Sequence, residues 1–335
     1  MPEAGGPASV LITGATGALG PAVVRAFSEG GWKIRTLSRR PPAPGTPAAS
    51  HEHIASDIDD AETLSRAMDG VAVVVHMAAL LHVFDRSATS VDYERVNVHG
   101  TADVMTAAHS RSVRRVVALS SIAVYGRHEK TVDETAMAAP DTPYATSKLE
   151  AEQEVLHRKG TDGCPLGTVL RLAAVYGPSV KGNYERLVRA LARGRFVQVG
   201  DGSNARTLVF EDDAAQAILL AASHRAAGGA TFNVTDGAIH TVREIIAAIS
   251  AALGRRPPAV SVPARVAIAG ASSLERLFGL IGRRSPVTRV TLDKYLEHVA
   301  VSGRHIQDTL GFQPRWTLSA GWRRTVEQLR SEGRL

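Results

Sequence analysis

A single cysteine, Cys164, among 335 residues excludes an internal disulfide framework and any cysteine-cluster metal site, and no metal is expected. Its scarcity fits a reducing cytoplasm. Aromatic residues are few, at 5%, and the arginines behind the net charge of +6 are scattered, so nucleic acid is not an expected partner. No apolar run is long enough to cross a bilayer. The first residues, Met1-Pro2-Glu3-Ala4-Gly5-Gly6-Pro7, lack the basic start and apolar core of a secretory signal, so a cytoplasmic location is expected. Internal repeats are absent too. What remains, 44% hydrophobic and 21% charged, is the composition of an ordinary globular enzyme, and the length allows a dinucleotide domain plus a smaller second domain. The positive charge suits an anionic substrate or cofactor.

The chain is organised around Val10-Leu11-Ile12-Thr13-Gly14-Ala15-Thr16-Gly17-Ala18-Leu19-Gly20. The apolar run Val10 to Ile12 predicts a buried parallel strand, and a helix is expected from about Ala18 to Glu29. Gly14 permits the tight turn, Gly17 leaves room for a phosphate, and Gly20 lets helix and strand pack closely. The helix start offers N–H groups and partial positive charge to a pyrophosphate. Gly14, Thr16, Gly17, Ala18, Leu19 and Gly20 are therefore the expected cradle of a dinucleotide. After the second strand, Lys33 to Leu37, an NAD enzyme usually offers a carboxylate to the ribose, but this chain reads Leu37-Ser38-Arg39-Arg40. Ser38 takes the place of the acid and Arg39 is suited to a 2'-phosphate, which favours NADP over NAD. The alternative is that both arginines belong to a solvated loop face.

A proline-rich loop, residues 41–47, follows, and then a strand near His53 to Ala55. Asp57, followed by Ile58, either accepts from the adenine amino group or caps a helix over Ala61 to Met68. Val71 to Val75 predicts a buried central strand, whose exit carries His76, read as a packed histidine, and the small residues Ala78 and Ala79. Tyr93 to Ser110, with Asn97, predicts one long helix, and Val116 to Leu119 a further strand. Alternating strands and helices imply a doubly wound parallel sheet of the α/β, Rossmann class. The strand end Ser120-Ser121 precedes Pro143-Tyr144-Ala145-Thr146-Ser147-Lys148, which opens a helix to about His157. Tyr144 and Lys148 are four apart and share a helix face, so the ammonium is expected to lower the phenol's pKa and make a general base.

Together, Thr13-Gly-x-x-Gly-x-x-Gly20, Ala78-Ala79, Asn97 with Gly100-Thr101, Ser120-Ser121 with Val124-Tyr125-Gly126, and Tyr144-x-x-x-Lys148 resemble the extended short-chain dehydrogenase/reductases. The likeness runs from about residue 9 to residue 330. It implies that Tyr144 is the acid/base, that Lys148 holds the nicotinamide ribose, and that Ser121, with Ser120 as the alternative, polarises the reacting oxygen. It also implies that Asp57, Ile58, Ala78, Ala79 and Asn97 line the dinucleotide. Leu170 to Pro178 resembles the crossing strand of nucleotide-sugar epimerases and dehydratases, which places Asn183 at a helix start near a substrate diphosphate and Arg206 as the residue gripping it. A cap and a surface arginine are the plain alternative.

The resemblance implies a dinucleotide-binding domain over residues 1–175, with a returning segment near 205–236, and a mainly substrate-binding domain over 176–335. It also implies a homodimer through the helices near Tyr93 to Ser110 and Tyr144 to His157. Leu274, Leu277, Phe278 and Ile281, followed by Arg283-Arg284, form a helical apolar stripe, read as core or pocket lid, with a membrane-surface helix as the second reading. The expected activity is that of a nucleotide-sugar epimerase, acting at C4 through a transient keto sugar. An NADPH-dependent reductase of a keto sugar or hydroxysteroid-like carbonyl is the alternative, and a non-catalytic NADP-binding regulator a remote one.

Overall fold

The computed structural model describes residues 8–81, 88–280, 283, 285 and 288–335. Seven strands, β1 (Ser9–Thr13), β2 (Lys33–Ser38), β3 (Glu52–Ala55), β4 (Val73–His76), β5 (Arg115–Ser121), β6 (Gly167–Leu172) and β7 (Thr231–Val234), form one sheet. Their order is β3-β2-β1-β4-β5-β6-β7, and every pairing is parallel. The strand order reverses between β1 and β4, which is the crevice where such sheets bind ligands.

Burial on both faces explains the near-continuous apolar strands. Val10 and Ile12 point to one core with Val23, Val24 and Phe27 of α1 (Gly20–Glu29), while Leu11 between them points to the other. That second core is completed by Leu64 of α2 (Ala61–Ala67), by Val104 and Met105 of α3 (Gly100–Ser110), and by Val155 of α4 (Pro143–Leu156). Beyond β6 the chain is mainly helical: α5 (Asn183–Ala192), α6 (Glu211–Ser223), α7 (Val242–Ala252), α8 (Ala264–Leu280), α9 (Arg289–Leu296), α10 (Arg304–Leu310) and α11 (Leu318–Ser331). Leu191, Ile246, Ile249, Trp322 and Val326 from α5, α7 and α11 build a third core. A Thr241–Glu244 capping box starts α7.

Several boundaries differ from the sequence reading for local reasons. α1 starts at Gly20 instead of Ala18, because the Gly17 amide is bound to Gly14 O at 2.9 Å and the Gly20 amide to Gly17 O at 3.1 Å, so the turn consumes those residues. Asp60, not Asp57, caps α2, accepting from the Thr63 amide at 3.0 Å. The segment from Tyr93 to Ser110 is not one regular helix: a short helix (Ser90–Tyr93) passes through a π-turn over Glu94–His99 before α3 begins. α5 starts at Asn183, after a Gly182 cap. Leu274 and Leu277 are 39% and 56% exposed, so this part of the stripe is not core; Ile281 and Arg284 lie outside the described residues.

Glycine spacing is a steric matter here, and its sign is testable. A Cβ on Gly20 would be driven into the Ala15 carbonyl oxygen, whereas Gly270, in α8, has nothing within 4 Å of that position. Gly20→Ala is expected to lose about 1–3 kcal/mol in urea unfolding. Gly270→Ala is expected to gain about 0.5–1 kcal/mol by stiffening the unfolded chain. Equal effects at the two sites would contradict the packing described.

Candidate active site

The residues that open the helix after β1 form a cradle at the sheet's carboxyl edge. Gly14 takes φ +72°, and a Cβ there would stand 2.8 Å from the Ala78 amide, so only glycine lets the β1 and β4 exits touch. Thr16 and Gly17 are exposed, Ala18 half-buried, and Leu19, the cap position of α1, brings no side-chain cap. The first turn of α1 has no acid and carries Pro21, so this helix start offers its positive end with no carboxylate in competition. A pyrophosphate fits such a place. At the end of β2, Ser38 Oγ donates to Arg40 O at 2.8 Å and Arg39 is exposed. Asp57, at the end of β3, accepts from the Ile58 amide at 2.7 Å, and Ile58 is buried beneath Gly100. These positions line one edge from β1 to β3, as a dinucleotide requires.

A buried chain of hydrogen bonds fixes the β4 exit. Thr101 Oγ1 donates to Asn97 O at 2.5 Å, so it accepts from His76 Nε2 at 3.1 Å. His76 Nδ1 then accepts from Thr13 Oγ1 at 2.9 Å, and that oxygen accepts from the Ala78 amide at 3.3 Å. Burial pushes His76 down to about 3, so the ring is neutral and a packing histidine, as the sequence suggests. The π-turn swings Asn97 inward, where Oδ1 accepts from the Leu80 amide at 2.7 Å and Nδ2 donates to Leu80 O at 3.1 Å and Ser147 Oγ at 3.0 Å. Asn97 is 1% exposed, and its amide pairs with protein partners that fix the loop carrying Ala78 and Ala79.

The two serines at the end of β5 part company. Ser120 turns inward and donates to Glu152, whereas Ser121 hydrogen-bonds the Tyr144 phenol and accepts from the Ala123 amide at 3.2 Å. Thr142 caps α4 and Pro143 starts it, which sets Tyr144 in its first turn. Tyr93, which the motifs do not single out, packs edge-on to Tyr144 with ring centroids 6.1 Å apart. Burial raises the Tyr144 phenol to about 12, outweighing the Ser121 hydrogen bond. The expected lowering by Lys148 is not met in the chain alone. Lys148 is 7% exposed and lines a small cavity with His76, Ser120 and Glu152, where burial lowers its pKa to about 8 against the pull of the Glu152 carboxylate. Glu152 is held by Arg171, whose Nη2 lies 2.6 Å from Oε2; Arg171 donates to Tyr125, and Tyr125 to Asn233.

The residues expected on the substrate side belong to segments after β6. Asn183 occupies the first position of α5, after a cap, Gly182, without a side chain. Arg206 directs its Nη groups to backbone carbonyls, of Ala205, Lys294, Tyr295 and Glu297, three of them at the end of α9. Its guanidinium closes a helix terminus, leaving Nε among the described hydrogen bonds without such an acceptor.

The profile of the NAD dependent epimerase/dehydratase family matches residues 10–235. The chain belongs to this family. Among its relatives, an N-acetyl-alpha-D-glucosaminyl-diphospho-ditrans,octacis-undecaprenol 4-epimerase of Escherichia coli O157:H7 is 29% identical over 274 residues, 81% of each chain. A 2-alkyl-3-oxoalkanoate reductase of Stenotrophomonas maltophilia is 28% identical over 330 residues, 94% of this chain and 97% of its own. The solved structure of MoeE5 in complex with UDP-glucuronic acid and NAD matches with a TM-score of 0.76 and 28% identity, over 97% of this chain and 99% of MoeE5. The family is one of nicotinamide-dependent enzymes, and the cradle at β1 is the part of this member that suits such a cofactor.

The raised phenol pKa sets a sign. In the cofactor-free protein Tyr144 is a neutral acid up to well above pH 10, because burial disfavours the phenolate. A difference absorbance titration of wild type against Tyr144→Phe, read below pH 11, should contain no phenolate signal from Tyr144. A midpoint at or below 10 would contradict the burial described.

Proposed function

We propose that the protein is a nucleotide-sugar 4-epimerase that works through a transient keto sugar. The observation that carries this reading is the hydrogen bond between Ser121 and Tyr144 at the carboxyl edge of the sheet, beside an uncapped helix start suited to a dinucleotide. The epimerase named in E. coli and the UDP-sugar bound by MoeE5 support the choice of substrate class. When bound, the nicotinamide supplies the acceptor and later the donor of the C4 hydride. Tyr144 takes the proton of the C4 hydroxyl and later returns it, while Ser121 donates to the same oxygen as it becomes a carbonyl. A phenol at about 12 needs a cation to act as base near neutrality, and Lys148, one helical turn on, is the cation its own helix supplies. Asn183, at the start of α5, receives the substrate diphosphate, with Arg206 Nε directed to the same group.

The reading extends to the parts around the site. The dinucleotide is held by residues 1–175 with a return near 205–236, and residues 176–335 close over the sugar. The cofactor is NADP in preference to NAD, on the strength of exposed Arg39 and the lack of a carboxylate after β2; the NAD in MoeE5 speaks for the other choice. Two copies pair through α3 and α4, in the cytoplasm. A net NADPH-dependent reductase is the second reading, favoured by the same Arg39 and by the relative in S. maltophilia, since free NADPH suits net reduction. A non-catalytic NADP-binding regulator has no use for the Ser121–Tyr144 pair.

Mass spectrometry of the cofactor released from freshly purified protein, with NAD and NADP binding compared, separates these readings. Retained cofactor that is recycled supports the epimerase, and an empty site preferring NADPH supports the reductase. Tyr144→Phe should lower turnover about 10²–10⁴-fold with dinucleotide binding intact. Unchanged turnover would remove Tyr144 from the chemistry.

A further inference from the structure

α8 is a helix of 17 residues, and among its described residues only Ala271 is fully buried. At about 3.6 residues per turn, Val266, Gly270, Ser273, Leu274 and Leu277 share one face. Val266, Leu274 and Leu277 on that face are 60%, 39% and 56% exposed. Ala271 and Glu275 lie on the opposite face, turned towards the protein, and Glu275 accepts from the Arg289 amide at the start of α9 at 3.2 Å. The charges are thus sorted. The one acid of α8 faces inward, whereas its two described arginines, Arg265 and Arg276, are exposed and stand about a third of a turn from the apolar row, on the side away from Ala271.

The chain leading into α8 continues the pattern. Val197 and Val260 precede two strands that pair Gln198 with Ser261, so they sit side by side, and they are 54% and 71% exposed. Next to them a cavity of about 330 Å³ is lined by Leu191, Phe196, Pro258 and the exposed pair Arg255 and Arg256. An apolar ridge with arginines along its border is the arrangement of a helix that lies in the headgroup layer, apolar side down. No described helix is long and apolar enough to cross a bilayer, which leaves contact in the plane. A second copy of the chain would place Arg265 and Arg276 against like charges unless it brought acids, and the outward face of α8 has none to offer.

We propose that the outward face of α8, with Val197 and Val260, is a docking surface for an anionic lipid bilayer, and that Arg255, Arg256, Arg265 and Arg276 meet its phosphate headgroups. Such docking holds whichever sugar or carbonyl the catalytic edge takes. It would bring the enzyme to the surface where a lipid-linked substrate resides.

Co-sedimentation of the full chain with vesicles tests it, using phosphatidylcholine alone and phosphatidylcholine mixed with phosphatidylglycerol. The wild type should bind the mixed vesicles about tenfold more tightly than the neutral ones, with the difference shrinking in high salt. Leu274→Glu/Leu277→Glu and Arg265→Glu/Arg276→Glu should each weaken binding about tenfold while melting temperature and dinucleotide binding stay unchanged. Wild type left in the supernatant with mixed vesicles overturns the proposal, as does binding by both variants as tight as that of the wild type. Loss of a dimer in sedimentation equilibrium for the leucine variant, from a wild type indifferent to vesicles, assigns the face to a second copy and also overturns it.

Discussion

The catalytic edge depends on one constraint: the β1 and β4 exits must touch, and they touch through buried polar groups. Thr13, His76 and Thr101 form a closed line of hydrogen bonds in which each donor has one acceptor, and the neutral histidine is the link that lets both threonines be satisfied. Were the ring charged, one threonine would face an N–H where it needs an acceptor, and burial holds that state off. From Thr101 the line runs to Asn97, which holds the loop after β4 and the second turn of α4 at once. Ser147 hands the connection on to the Tyr144 carbonyl at 2.9 Å. The position of the phenol is thus tied to the same network that keeps Ala78 against Gly14.

A second buried network lies beneath the first. Glu152 gathers Ser120 and Arg171, and Arg171 lies over the Tyr125 ring, 4.9 Å from its centroid. A carboxylate so placed has two effects on its own helix. It takes Ser120 out of play, which leaves Ser121 as the hydroxyl at the phenol, and it keeps an ammonium acceptable at Lys148 where burial opposes one. Acid, base and orienting groups are in this way separated by environment more than by distance.

Much of this was legible in the chain because backbone geometry wrote it there. The glycine turn needs glycines whatever surrounds it, and a spacing of four from Tyr144 to Lys148 means one helix face. Ser121 was distinguishable from Ser120 by its place in the motif, although the reason, Glu152, sits 32 positions away from Ser120. Other features left no local mark. Aspartates at 57 and 60 are equally good caps on paper, and the turn after β3 decides for Asp60. A π-turn over Glu94–His99 has no sequence period, yet Asn97 within it braces the loop after β4. Arg206 looks like a free cation until the α9 carbonyls, about 90 residues on, are folded against it. Periodicity marks the apolar row of α8 but says nothing of which side the protein lies on.

The central claim is that a hydride leaves C4 and returns to the same carbon on the other face, with Tyr144 and Ser121 handling only the oxygen and its proton. Incubation of the enzyme with a UDP-hexose deuterated at C4, followed by NMR, tests this most directly. The account predicts inverted sugar with the deuterium still at C4 and none in solvent. Inversion with loss of the label to water, or transfer of it to released cofactor without inversion, would contradict it.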